Sequence, residues 1–199
     1  FAPSPSASLR VVCGGRIHPK KGHTVLIEAA RLAAAEGSRW ELDLWGDHLP
    51  EHEGLRRDLL RQVDEAGLSD RVDWRGFTVD TAAMYAGGDV AVVPSVVPEE
   101  FSLVCVEAQA MELAVVATGP GGASEVIVDG ETGVIVPPGD APALAAALRS
   151  LEVDPERRRR MGHRGRERMI RHFTREAYAS AVRSHCLALA ERPTVGVRR

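Results

Sequence analysis

A chain of 199 residues is long enough to bury one substantial core and short for two. With 44% hydrophobic and 27% charged residues it has the composition of an ordinary globular protein, which excludes a fibrous or fully disordered chain. The formal net charge of −3 argues against a dedicated nucleic-acid surface. The late basic cluster from Arg157 to Arg171 is interleaved with acidic and apolar residues, as on a solvated helix face.

Cys13, Cys105 and Cys186 are an odd, widely spaced set, two of them inside apolar runs. Buried free thiols in a reducing, cytoplasmic setting fit them better than a disulfide framework or a metal site. No apolar run approaches the length of a membrane span, so membrane association is not indicated. Residues 1–8, rich in Pro and Ser, read as a linker remnant, and residues 191–199 as a flexible tail.

In chain order, Leu9 to Cys13 is a short apolar strand, followed by Gly14-Gly15-Arg16 and a loop ending in Lys20-Lys21-Gly22. Thr24 opens a helical pattern carried by Val25, Leu26, Ala29, Leu32 and Ala33. Trp40 to Trp45 is a second strand, and Leu55, Leu59, Leu60 and Val63 mark a second helix closed by Gly67. Arg71 to Trp74 is a third strand ending at Gly76-Phe77, and Thr81 to Ala86 a short helix. Val90 to Val93 is the fourth strand, stopped by Pro94. A helix from Ser102 to about Glu112 follows, with Ser102 as an N-cap whose hydroxyl accepts from a free backbone N–H. Val115 to Ala117 and Val134 to Val136 are the fifth and sixth strands. Between them Ser124-Glu125 can cap a short helix, and the last helices start near Ala141, Pro155 and Thr174.

Short apolar strands alternating with helices predict an α/β fold: a three-layer, Rossmann-like domain over residues 9–190. Its parallel sheet of about six strands carries helices on both faces. Right-handed crossovers then bring every strand-to-helix loop to one sheet edge, where ligands of such sheets bind. Arg16, Lys21, Gly46, Gly76-Phe77, Glu99 to Glu107 and Gly121 to Glu125 converge there.

Arg16 and Lys21 on a glycine-flanked loop can neutralise a diphosphate, Arg with its planar fork and Lys as a point charge. The same pair also fits a plain basic surface loop. Glu99 lies in the loop before the fourth-strand helix and Glu107 inside that helix. The helix N-terminus supplies free N–H groups for an anion, and the carboxylates can accept sugar hydroxyls. Two glutamates near a helix start are equally compatible with solvated or capping side chains. Gly121-Gly122 permits close backbone approach to a ligand; Glu125 is a cap or a supporting partner. His18, His23 and His48 read as surface residues. No Asp-x-Asp, His-Glu-x-x-His or paired-cysteine motif is present, so no catalytic metal is indicated. Gly14-Gly15 lacks the third glycine of the dinucleotide fingerprint.

Taken together, Gly15-Arg16-Ile17-His18-Pro19-Lys20-Lys21-Gly22, Pro94-Ser95, the Glu99 to Glu107 spacing and Val115-Val116-Ala117-Thr118 form a pattern. With Gly121 to Glu125 and Asp129 to Asp140, it resembles the carboxyl-terminal, donor-binding half of the GT-B glycosyltransferases of group 1, or family 4 (GT4). The likeness runs from about Leu9 to about Ala190. It implies a retaining transfer of sugar from a nucleotide-diphospho-sugar to an acceptor hydroxyl, with no cofactor required beyond that donor. It implies catalytic roles for Arg16, Lys21 and Glu99, and donor binding by Gly15, Gly76, Phe77, Phe101, Ser102, Leu103 and Glu107. An amino-terminal acceptor domain, absent from this chain, is the expected partner. The isolated half is expected to turn over little and to self-associate through an exposed cleft face. Rival readings are an epimerase-like or phosphorylase-like relative of the same architecture, a non-catalytic nucleotide-sugar-binding module and a nicotinamide-dependent oxidoreductase. The chain departs from the family pattern at Glu100 (commonly Pro or Gly), Ser102 (Gly), Gln109 (Met), Glu112 (Gly) and Ala114 (Pro).

Overall fold

The computed structural model describes residues 8–190, so the expected linker over 1–8, apart from Ser8, and the expected tail over 191–199 lie outside the described residues. Six strands form one parallel sheet: β1 (Leu9–Gly14), β2 (Trp40–Trp45), β3 (Val72–Gly76), β4 (Val90–Val93), β5 (Ala114–Thr118) and β6 (Gly133–Val136). Eight helices connect and follow them: α1 (His23–Ala35), α2 (Glu53–Glu65), α3 (Thr81–Tyr85), α4 (Leu103–Ala110), α5 (Ala123–Val126), α6 (Ala141–Glu152), α7 (Pro155–His172) and α8 (Arg175–Ala190). The spatial order is β3-β2-β1-β4-β5-β6, with every described pairing parallel.

The burial of each strand follows from that order. β4 and the first four residues of β5 are fully buried, which is why they read as unbroken Val/Ala runs. β2 alternates buried and half-buried residues, and edge strand β3 is nowhere fully buried. Successive β1 residues point to opposite faces and feed separate cores. Val11 and Cys13 pack with Leu26, Leu59 and Leu148 beneath α1, α2 and α6. Val12 packs with Met84, Cys105, Val126 and Met169 beneath α3, α4, α5 and α7. Each fully buried aliphatic side chain here stabilises the fold by about 1.5–3 kcal/mol.

The strand order reverses between β1 and β4. The β1–β2 ladder runs as far as Gly14↔Trp45, but the β1–β4 ladder stops at Val12↔Ala91. Beyond that point the two chains part toward opposite faces and leave a crevice at the carboxyl edge.

The basic cluster of α7 is not uniformly solvated. Arg158 pairs with Asp89 at 3.0 Å with both side chains mostly covered, and Arg168 donates to the carbonyls of Glu125 and Val126. α8 buries none of its residues and exposes Tyr178, Val182 and Leu187. Cys13 and Cys105 are buried, whereas Cys186 is exposed. Among the described residues no helix is long and apolar enough to cross a membrane.

Three departures from the family pattern sit at the far end of α4. Leu113 N–H donates to Ala108 O and Glu112 N–H to Gln109 O, the bond pair that closes a helix through a left-handed residue. That residue is Glu112, with φ of 63°. Glycine is favoured there because a Cβ in this region costs about 1–2 kcal/mol. Gln109 is fully buried and donates to the Thr132 carbonyl and hydroxyl at 2.8 and 3.0 Å. Ala114 opens β5. All three face the amino edge of the sheet and shape packing, away from the crevice. Glu112→Gly removes the strain and loses only a half-exposed contact with Arg166 at 3.4 Å. It is expected to raise Tm by about 2–4 °C in a thermal melt.

Candidate functional site

The crevice is framed by loops that the backbone ties together. After β1, Gly15 N–H donates to Trp45 O and Ile17 N–H to Asp47 O, fixing this loop to the one after β2. A 3-10 turn, Pro19–Lys21, carries Lys21; His18 Nδ1 accepts from Lys20 N–H at its start and Gly22 ends it. Gly22 has φ of 69°, and a Cβ on it would lie 1.8 Å from the Pro94 carbonyl. Only glycine allows the β1 loop to touch the end of β4 this closely. Val96 N–H donates to Lys20 O at 2.9 Å across the same junction.

That junction brings the predicted cation and carboxylate together. Lys21 Nζ lies 2.5 Å from Glu99 Oε1, although 78 residues separate them. Ser95 Oγ donates to the same oxygen at 2.5 Å. Burial alone would raise the Glu99 pKa. Hydrogen bonds from Lys21 and Ser95 and the charge of Lys21 outweigh it, and the carboxyl is held below its usual range. Beneath them the Cys13 thiol is pushed up to about 12 by burial, so it is a neutral, inert floor.

A cleft of about 390 Å³ opens beside this contact, lined by Gly15, Arg16, Trp45, His48, Phe77 and Val104 among others. Arg16 is exposed and makes no ion pair among the described residues. Phe77 stands at the rim, 75% exposed, and Gly76 accepts from Gly46 N–H through its carbonyl at 2.8 Å. His48 is no plain surface residue: it lines the cleft, with Nε2 2.5 Å from Glu53 Oε2. Glu107 stands one helical turn after Val104 on the same face of α4. It is half-buried, makes no hydrogen bond or ion pair among the described residues, and its pKa is raised by burial. Lys21, Glu99 and Glu107 therefore flank the cleft rather than line it.

Other expectations need correction. Ser102 occupies the N-cap position of α4, but its hydroxyl makes no cap hydrogen bond. The side chain is buried toward Glu99 and Cys105, close enough to favour the Glu99 charge without a hydrogen bond of ordinary geometry. No side chain caps α4, so its first amides are open to an anion. Leu103 is exposed, and the Phe101 ring rests against Phe173, 6.2 Å between centroids, turned toward α7.

Gly121-Gly122 also makes a close contact within the chain. A Cβ on Gly122 would lie 2.5 Å from Phe101 Cα, and Gly122 N–H donates to Glu99 O at 2.7 Å. The close approach seen in this structure is to the Glu99–Phe101 backbone. Ser124 and Glu125 lie inside α5, whose N-cap is Gly122, so neither caps it. Among the described residues no cluster of His, Cys, Asp and Glu is arranged to hold a metal ion.

The sequence pattern missed the hydroxyls of Ser95 and Thr118. Ser95 Oγ meets Glu99 directly and Thr118 Oγ1 donates to Ser95 O at 2.5 Å, yet nothing in their spacing marks either contact. His23 is likewise not on the surface: it is 3% exposed, and Nδ1 has no hydrogen-bond partner. Burial, with the Lys21 charge adding, lowers its pKa to about 4. The unfolded chain takes up this proton near pH 6.5 and the folded chain does not, so stability falls from about pH 6.5 toward about pH 4. Above that window His23 contributes no pH dependence. His23→Gln is expected to flatten the Tm profile over this range by the equivalent of up to about 3 kcal/mol, measured by pH-resolved melting.

Comparison with known proteins agrees with this architecture. The family model described as "Glycosyl transferases group 1" matches residues 3–168. A relative named lipopolysaccharide core biosynthesis mannosyltransferase LpcC, from Rhizobium leguminosarum bv. viciae, is 33% identical over 86% of this chain and 49% of its own length. A D-inositol 3-phosphate glycosyltransferase from Paenarthrobacter aurescens is 36% identical over 78% of this chain and 38% of its own. The chain thus spans about half or less of the length of these curated relatives.

Among solved structures, Anabaena Alr3699/HepE in complex with UDP superposes with a TM-score of 0.82 at 26% identity, covering 90% of this chain and 50% of that one. The C-terminal domain of a glycosyl transferase group 1 family protein (LpcC) from Francisella tularensis has a TM-score of 0.75 at 26% identity. There the overlap covers 88% of this chain and 96% of that domain. With a six-stranded parallel sheet of the same kind and a family match over most of its length, the chain belongs to the glycosyl transferases group 1 family.

Proposed function

We propose that this chain is the nucleotide-sugar-binding half of a retaining glycosyltransferase, working in the cytoplasm with an acceptor-binding domain outside this chain. The observation that carries the reading is the meeting of Lys21 with Glu99 at the strand-order reversal, beside the open amino end of α4. A cation, uncapped amides and two carboxylates flanking one cleft suit a ligand that is anionic at its centre and rich in hydroxyls at its ends. The HepE structures in complex with UDP and with UDP-glucose support a donor of this chemical class.

In this reading the base and ribose enter the cleft between Gly15 and Phe77, and the ribose hydroxyls donate to Glu107. A carboxylate raised in pKa by burial and lacking a partner gains most from such donors. The diphosphate lies between Arg16 and Lys21, and the sugar reaches the Glu99–Leu103 loop. The reaction breaks the bond between the anomeric carbon and the diphosphate oxygen. The electron pair leaves with the diphosphate, and the acceptor hydroxyl bonds through its oxygen to the same face of the sugar, passing its proton to the departing diphosphate oxygen. Charge grows on the departing oxygen, and Arg16, Lys21 and the α4 amides stabilise it where it develops. Ligand binding to the folded state alone must raise apparent stability.

A thermal-shift screen with UDP, GDP, UDP-glucose, UDP-N-acetylglucosamine and GDP-mannose tests the reading. At least one sugar nucleotide is expected to raise Tm at millimolar concentration, and none doing so would reject it. Glu107→Gln is expected to keep the unliganded Tm equal or higher, since it removes a poorly solvated charge, while weakening that donor about 10-fold. In the intact transferase, Arg16→Ala is expected to lower turnover on the order of 10²–10³-fold, read from initial rates at saturating donor.

A further inference from the structure

Two hydroxyl groups, Ser95 buried and Thr118 half-buried, remain without a role in the donor site. Ser95, directly after Pro94, is 3% exposed, and its Oγ donates to Glu99 Oε1. Its own carbonyl accepts from Thr118 Oγ1, at the end of the neighbouring strand, at 2.5 Å. The same hydroxyl lies 3.4 Å from the Val93 carbonyl. Ahead of Ser95, Pro94 abuts Gly22; behind it, Val96 N–H is bonded to Lys20 O. Ser95 is therefore clamped on three sides while its hydroxyl faces the carboxylate.

The two donors on Glu99 Oε1 are not equivalent. Lys21 carries its ammonium on a flexible stem with the side chain 37% exposed. A diphosphate entering beside Arg16 offers that ammonium a denser negative charge than a carboxylate does. Once Lys21 turns to it, Ser95 is the remaining donor in hydrogen-bond contact with Glu99 Oε1. Oε2, which no described residue meets with a hydrogen bond of ordinary geometry, is then free to accept from a sugar hydroxyl. We propose that Ser95, braced by Thr118, is a positioning residue that keeps Glu99 aimed at the sugar of the donor after Lys21 has been drawn to the diphosphate. This inference rests on the donor-site reading above.

The test is calorimetric titration of the folded chain with a nucleotide diphosphate and with its sugar conjugate, using UDP against UDP-glucose and GDP against GDP-mannose. The quantity read is the ratio of the two Kd values, the gain from adding the sugar. Ser95→Ala is expected to cut that ratio about 10-fold, as for loss of a hydrogen bond to a charged group, and to leave the affinity for the diphosphate alone within about 2-fold. Thr118→Val is expected to cut it in the same direction, and Thr118→Ser, which keeps the hydroxyl, to restore it. Thr118→Val decides the matter by itself if Ser95→Ala does not fold. An unchanged ratio, or equal weakening of both ligands, overturns the positioning role and leaves the donor site standing. Failure of the unaltered chain to bind any of the four ligands overturns the donor site and this inference together.

Discussion

The contact on which this structure turns is the approach of Lys21 to Glu99 where the sheet changes direction. Neither group finds its partner locally; the chain passes through three strands and three helices between them. Placing a cation and an anion on one oxygen's width of space requires the β1 loop and the β4 loop to lie in van der Waals contact. Gly22 is the residue that permits it, because any side chain would drive into the Pro94 carbonyl. The charge arrangement is thus a consequence of backbone packing, not of the charges themselves. An ion pair this exposed on the lysine side contributes little to stability, so its place in the fold is better explained by use than by energetics.

The second layer of support comes from groups packed behind the Lys21–Glu99 contact. Gly122 lies against the Glu99–Phe101 backbone, and Ser95, whose carbonyl accepts from Thr118, donates to the Glu99 carboxylate. Buried Cys13 and neutral His23 add no competing charge beneath the loop. The cleft beside it, between Gly15 and Phe77, stays open because the β1–β4 ladder ends early. A basic-acidic edge next to an open apolar-walled cleft is what a nucleotide with a charged bridge and a sugar requires.

Much of the fold was legible in the sequence because burial on both faces writes itself as apolar runs. Val90 to Val93 and Val115 to Ala117 were recognisable for that reason, and glycines and prolines marked the turns between elements. The grouping of Arg16, Lys21, Glu99 and Glu107 at one edge followed from parallel topology and crossover handedness. What escaped the sequence was orientation at the level of single side chains. Whether Ser102 caps α4 or turns inward depends on Cys105 and Glu99 behind it, and no local pattern records that. Gly121-Gly122 signalled a close approach but not to what. His23 sits in a polar stretch and is buried only because the helix it opens is pressed under the loop. Glu112 stood out only as a departure from a glycine, and its backbone angle gives the physical reason.

The most direct test of the central claim is a crystal structure of this chain with a bound sugar nucleotide, UDP-glucose being the first probe. The account predicts diphosphate oxygens about 2.7–3.2 Å from Lys21 Nζ and the Arg16 guanidinium, with the sugar against Glu99. A diphosphate seated elsewhere on the sheet edge, with Lys21 and Glu99 still joined to each other, would contradict it.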